Sequence, residues 1–231
     1  MEISPEDITP EKVVEEYGEY VSRLCYRMVP DPDLAEETAQ EVWYQILKSL
    51  KTYRGEASLS TWIFKIARRV IYNYAPNKKL YDEKFLRHCF DGPDIQIPEE
   101  VDYDKRLWVK EMCDRCLTGV VQCLRPEKKL AFLLRDGAKL SYSDIAEIME
   151  KKEPTVRKIV SRARKKLRNF LHGQCTLYNP EGDCNCRIKE VVEEVDLEAE
   201  YGKIRKLLGE VNFYAQTEEM MPKKNYWEKY L

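Results

Sequence analysis

The chain has 231 residues, 39 Lys plus Arg against 41 Asp plus Glu, and a formal net charge of −2. Charged residues at 35% beside apolar residues at 43% argue against a disordered chain, and nine Gly with eleven Pro are too few for a loop-rich all-β fold. No apolar run approaches the ~20 residues that span a bilayer. The acidic, interrupted first thirty residues are not expected to act as an export signal, so the eight Cys are expected as reduced thiols with metal, redox or core roles.

Taken along the chain, the near-neutral total separates into opposed blocks. Residues 1–50 hold twelve acids and four bases. Within them Leu34, Thr38, Val42, Ile46 and Leu50 recur about every four residues, which predicts a helix over 33–51 started by Asp31-Pro32. Residues 53–58 (Tyr-Arg-Gly-Glu-Ala-Ser) read as a loop, and Ser60 is expected to cap the next helix. Trp62, Ile63, Ile66, Ala67, Val70 and Tyr74 mark that helix's buried face, and Pro76 ends it. Residues 61–79 carry five bases and no acid.

Residues 76–101 show no period and contain Pro76, Gly92-Pro93 and Pro98, the composition of a linker. A helical stripe of Leu107, Val109, Cys113, Cys116, Val120 and Leu124 follows. Pro126 opens a helix filled by Leu130, Phe132, Leu133 and Leu134 and stopped at Asp136-Gly137. Ser141 and Asp144 have capping-box spacing before Ile145, Ala146, Ile148 and Met149. After a turn at 150–153, Pro154 suits the start of a helix whose buried face is Val156, Ile159, Val160, Ala163 and Leu167. Residues 154–172 carry seven bases and no acid. The remaining segment is cysteine-bearing, then amphipathic and acidic, with ten acids and six bases over 190–231.

A capped short helix, a short turn and a longer basic helix over 141–168 are the parts of a helix-turn-helix. Small Ala146 permits a close crossing. The start of the second helix, with Thr155, Arg157, Lys158, Ser161 and Arg162, is placed to reach base edges in a major groove, where Arg reads guanine bidentately. Arg164, Lys165 and Arg168 lie further along and suit phosphates. A solvated basic helix on an ordinary bundle is the plainer alternative.

Two motifs in order resemble the sigma factors of bacterial RNA polymerase. Leu124-Arg125-Pro126-Glu127, the stretch 141–148, Thr155-Val156-Arg157 and the stretch 162–167 are similar to their C-terminal DNA-binding domain. Asp33-Leu34-Ala35-Glu36-Glu37-Thr38-Ala39-Gln40-Glu41-Val42-Trp43, followed by the stretch from Tyr53 to Arg68, is similar to their core-binding and promoter-melting domain. Order, spacing and short linker resemble the extracytoplasmic-function group of the sigma-70 family. The resemblance covers about 10–80 and 102–172. Three departures bear on promoter reading: Arg69 where the family often has Asn, Asn73 where it usually has Asp, and Lys152-Glu153-Pro154 where the turn usually carries Ser or Gly.

The resemblance implies an all-α fold of two small helical domains: 1–80 for core binding and the minus-ten element, 102–172 for the minus-thirty-five element, a flexible linker at 81–101 and an extension at 173–231. It implies core RNA polymerase and promoter DNA as partners, an anti-sigma factor as a further one, cytoplasmic action and no membrane insertion. Glu36, Glu37, Gln40 and Glu41 would face polymerase, although Glu36 and Glu37 also suit a helix N-terminal dipole. The loop from Tyr53 would capture a flipped minus-ten base, with Tyr53, Arg54 and Ser58 lining the pocket. Trp62, Lys65, Arg68 and Arg69 would serve the strand and the melting junction, although Trp62, on the apolar face, reads more readily as core than as wedge.

No nucleotide-binding glycine loop, catalytic triad or HExxH motif occurs, and two His leave little for acid–base work, so an enzyme is not expected. Cys25 reads as core and Cys89 is undecided. Cys113 and Cys116 have CxxC spacing, which invites zinc, but they share a helical face with Val109 and Val120, which reads more readily as core. His172, Cys175, Cys184 and Cys186 lie in a polar stretch and form a candidate site for zinc, a softer metal or redox sensing, against reduced, unliganded thiols. Two rival functions stay open: a helix-turn-helix regulator acting without polymerase, and a thiol-based metal-sensing protein.

Overall fold

The computed structural model describes residues 8–29, 31–74, 120–174, 179 and 181–182. Among them all regular structure is helical. The elements are α1 (Pro10–Met28), α2 (Pro32–Ser49), a 3-10 turn (Leu50–Thr52), α3 (Leu59–Tyr74), α4 (Pro126–Phe132), a π-helical turn (Leu133–Gly137), α5 (Tyr142–Met149) and α6 (Glu153–Gln174). The 81–101 segment lies outside the described residues, as does nearly all of 173–231.

Among the described residues the chain divides into two compact units, one within 8–74 and 126–160 and the other within 120–125 and 161–174. The first holds α1 to α5 and the start of α6, so helices from both expected sequence domains share it. In it α1, α2 and α3 pack on one another, α4 packs on α1 and on the π turn, and α5 packs on α3.

Local chemistry explains where these helices begin. Thr9 accepts from the amide of Lys12 at 3.3 Å with Pro10 at the first helical turn, and Asp31 accepts from the amide of Leu34 at 2.9 Å ahead of α2. α1 is the one described helix for which no sequence period was read, and it buries Val13, Val14, Val21, Leu24, Cys25 and Met28. Burial pushes the Cys25 thiol well above its ordinary range, so it stays protonated. On α2 the expected stripe of Thr38, Val42 and Ile46 is buried together with Ala35, Ala39 and Trp43.

α3 differs from its expected form at both ends. It starts at Leu59, and the cap is Ser58, whose Oγ accepts from the amide of Thr61 at 3.2 Å; Ser60 is not the cap. Its core face is wider than one stripe, because α1, α2 and α5 all pack on it. Ile63, Ile66, Ala67 and Val70 are joined by Leu59, Phe64 and Ile71, Trp62 is half-buried, and Tyr74, expected in the core, is 40% exposed at the helix end.

The α4 helix widens into the π turn and ends at Gly137, as the Asp136-Gly137 pair suggested. The next helix has the reciprocal capping box: Ser141 Oγ accepts from the amide of Asp144 at 3.0 Å, and the amide of Ser141 donates to Asp144 Oδ2 at 3.3 Å. α5 ends at Glu150, a non-glycine residue with φ 55. α6 begins one residue earlier than expected, at Glu153, and buries Val156, Val160, Ala163 and Leu167 with Ile159 half-buried.

In the second unit Val120, Val121, Cys123 and Leu124 are buried, and Lys166 Nζ donates to the carbonyl of Cys123 at 2.6 Å. Asn179 Nδ2 donates to the carbonyl of His172 at 2.9 Å, satisfying one carbonyl in the last turn of α6. Cys89, Cys113 and Cys116 lie outside the described residues.

Candidate nucleic-acid and protein interfaces

The loop between α2 and α3 is built by its own side chains. Gly55 takes φ +73, a conformation that favours glycine, and lets the chain reverse. The Tyr53 hydroxyl donates to the carbonyl of Ala57 at 2.7 Å, closing the loop across four residues. The Tyr53 ring meets the Trp62 ring at a centroid distance of 5.3 Å and an interplanar angle of 55°. Two half-buried aromatics therefore stand together beside exposed Arg54, a wall and a cation of the kind that stacking and phosphate contact require. Ser58, expected as a pocket residue, is engaged at the helix start, with its hydroxyl within 3.0 Å of Ser60 Oγ and donating to Thr61 Oγ1 at 2.9 Å.

Of the three α3 cations singled out, Arg69 is exposed and the other two meet α5. Lys65 Nζ lies 2.7 Å from Glu147 Oε1. Arg68 Nη1 lies 2.9 Å from Glu150 Oε1 and donates to the carbonyl of Ile148 at 3.0 Å. The Arg68 guanidinium also sits 5.9 Å from the centre of the Tyr72 ring. Burial raises the Tyr72 phenol, which the Arg68 charge opposes and the Glu127 carboxylate reinforces.

The helix-turn-helix is organised around Tyr142, at the first position of α5. The Arg135 guanidinium lies 4.5 Å from the ring centre and that of Arg157 lies 4.2 Å from it. Arg135 also donates to the carbonyl of Leu140 at 2.6 Å. Arg157 in turn donates to Glu153 Oε1 from Nε at 2.9 Å and from Nη2 at 2.6 Å. Thr155, Lys158, Ser161, Arg162, Lys165 and Arg168 are exposed along α6, and Arg164 is half-buried. The turn into α6 is held by the amide of Lys151 on the carbonyl of Ala146 at 2.9 Å, and by Lys151 Nζ 2.8 Å from Glu127 Oε1.

On α2, Glu37 and Gln40 are exposed, while Glu36 and Glu41 are half-buried. Gln45 Nε2 donates to Glu41 Oε1 at 2.7 Å. The outward face continues into Tyr44, 57% exposed, and Leu47, 41% exposed, with Lys48 Nζ 5.5 Å from the Tyr44 ring centre. Tyr44 and Leu47 were not singled out in the sequence, although the spacing of 37, 40, 44 and 47 is the same helical period displaced from the core stripe.

His172 is exposed in the last turn of α6. Cys175, Cys184 and Cys186 lie outside the described residues. Among the described residues no helix is long and apolar enough to cross a membrane.

Comparison with known proteins bears on these geometries. The family model for Sigma-70 region 2 matches residues 13–79, and that for Sigma-70, region 4 matches residues 114–167. The chain is 29% identical over 160 residues to the ECF RNA polymerase sigma-E factor of Haemophilus influenzae, covering 68% of this chain and 84% of that protein. It is 27% identical over 161 residues to the RNA polymerase sigma-H factor of Pseudomonas aeruginosa, covering 66% and 80%. Its fold is similar to that of CnrH, solved in complex with the cytosolic domain of CnrY, with a TM-score of 0.51, 12% identity and coverage of 70% and 86%.

Helices arranged as regions 2 and 4 of one chain define the class of RNA polymerase sigma factors. The chain belongs to the sigma-70 family, in its extracytoplasmic-function group. It binds core RNA polymerase and directs promoter-specific initiation of transcription.

Proposed function

We propose how that work is divided among the residues. The start of α6 reads the minus-thirty-five element in the major groove through Thr155, Arg157, Lys158, Ser161 and Arg162, while Arg164, Lys165 and Arg168 hold phosphates. Tyr53 and Trp62 stack on a minus-ten base, with Arg54 beside them, and Lys65, Arg68 and Arg69 take the strand's phosphates. Ser58 acts through the cap that sets the loop. Glu37, Gln40, Tyr44 and Leu47, with Glu36 and Glu41 at the edge, form the face toward polymerase. The observation that supports this reading best is the Tyr53–Trp62 pair, which joins the closed loop to the first turn of a helix rich in cations.

In this reading the protein acts in the cytoplasm by binding and catalyses no covalent step. An anti-sigma partner is proposed with it, as membership of this family implies; the structurally similar CnrH is described in complex with the cytosolic domain of CnrY. A stress, metal or redox response is proposed through His172, Cys175, Cys184 and Cys186, on their spacing and composition. Zinc binding requires bound metal in the purified protein and a folding change under a chelator; metal-free protein with unchanged folding rejects it.

Run-off transcription with core polymerase tests the division. The combined change Arg157→Ala and Arg162→Ala should abolish minus-thirty-five dependence while core capture persists. Changing Tyr53→Ala and Trp62→Ala should preserve closed-complex formation and reduce opening. Promoter-specific DNA binding with no core capture would favour the polymerase-independent regulator.

A further inference from the structure

The ends of α5 carry charge in an order that a helix by itself disfavours. Carboxylates suit a helix N-terminus and cations a C-terminus. α5 has Asp144 in its first turn, but it also has Glu147 and Glu150 at its C-terminal end and no base in its last turn. The missing positive charge comes from α3, eighty residues away in sequence. Lys65 meets Glu147, and Arg68 meets Glu150 together with the carbonyl of Ile148, one of the last carbonyls that the helix itself leaves open. Buried Ile145, Ile148 and Met149 anchor α5, and the ion pairs lie outside them.

We propose that α5 masks α3: in the chain without polymerase, Glu147, Glu150 and the C-terminal carbonyls of α5 occupy the cations that the minus-ten strand requires, so that DNA reaches Lys65 and Arg68 only after α5 leaves. This rests on the assignment of α3 to DNA made above. Partly exposed ion pairs are individually weak, which suits a contact to be displaced by phosphates or by docking on polymerase. Lys151, the nearest base of the turn, is turned to Glu127 and does not supply this charge.

The test uses the full chain without polymerase and a labelled single-stranded DNA oligonucleotide. Neutralising the α5 acids (Glu147→Gln with Glu150→Gln) should raise affinity about three- to tenfold. Neutralising two α1 acids (Glu15→Gln with Glu16→Gln) changes net charge equally and should raise it less than about twofold. Equal effects of the two pairs overturn the masking. Lys65→Ala with Arg68→Ala, placed in the α5-neutralised chain, should remove the gain; a gain that survives shows that the assignment of α3 to DNA has failed. The contact is also read without DNA. Hydrogen exchange over residues 145–151 should quicken in the charge reversal Glu147→Lys with Glu150→Lys. It should slow again when Lys65→Glu and Arg68→Glu are added, and no recovery in that four-site chain counts against the pairing.

Discussion

The two basic helices look alike in sequence and differ in what surrounds them. α3 and α6 each carry cations on one side and an apolar face on the other. On α6, Lys158, Arg162, Lys165 and Arg168 stand exposed, and Arg157 is steadied by Glu153 of its own first turn. On α3, Lys65 and Arg68 are matched by acids from a different part of the chain. A helix whose own sequence positions its cations can meet DNA as it is. A helix whose cations are held by a distant element has its availability set by that element. Local charge sums report the capacity of a surface, and tertiary contacts decide when it can be used.

The comparison is broken most severely by removing the scaffold beneath one stripe. Ile63 is fully buried under α3, and Ile63→Ala should cost about 2–5 kcal/mol of stability, read by chemical denaturation. The α5 contact and its effect on DNA binding should weaken together in that variant. On the other stripe, Arg157→Ala should remove about 1–3 kcal/mol of discrimination at one minus-thirty-five base pair. Arg168→Ala should instead weaken all promoters alike and reduce the salt dependence by about one charge. If both changes act uniformly, α6 holds phosphates without reading bases. Between these lies the cap of α5: Ser141→Ala breaks the capping box and should cost about 1 kcal/mol, measured as a lowered melting temperature.

Much of this architecture was legible before the structure. The α2 and α6 stripes, the Asp31 cap and the Ser141–Asp144 box follow from local rules, in which a side chain and the amide it serves lie three residues apart. The misread start of α3 has a local cause as well. Ser58 and Ser60 are both capping residue types, and the choice between them depends on where the chain leaves the Gly55 reversal. The width of the α3 core was not legible, because a helix packed on three neighbours buries more than one stripe, and Phe64, Ile71 and Tyr74 are allocated by those neighbours. The partners of Lys65 and Arg68 were the least legible. Glu147 and Glu150 read locally as ordinary acids beside a turn, and their clash with the helix dipole becomes informative once α3 is seen against them. Tyr44 and Leu47 were not legible as surface because apolar residues at helical spacing read as core, whereas the α2 face toward solvent also carries apolar side chains.

The smallest effect separates a positioned arginine from one that is merely present. Tyr142 has one guanidinium at 4.5 Å and another at 4.2 Å from its ring centre, and it has no formal charge of its own. Tyr142→Phe keeps the ring and should leave the promoter preference unchanged. Tyr142→Leu keeps apolar bulk but loses the electrostatic attraction of the ring face, about 0.5–1 kcal/mol at an exposed site. Arg157 then retains the Glu153 ion pair and samples more orientations about it. The expected outcome is a two- to fivefold loss of discrimination at the base pair that Arg157→Ala identifies, with total affinity nearly constant. Glu153→Gln should give a loss of similar size through the opposite side of the guanidinium, because the acceptor remains while its charge goes. Position-specific losses in both variants would mean that α6 carries its reading geometry within its own helix-turn-helix. Uniform losses in both would make Tyr142 and Glu153 ordinary packing, and α6 would then depend on docking to orient Arg157, much as α3 depends on the departure of α5.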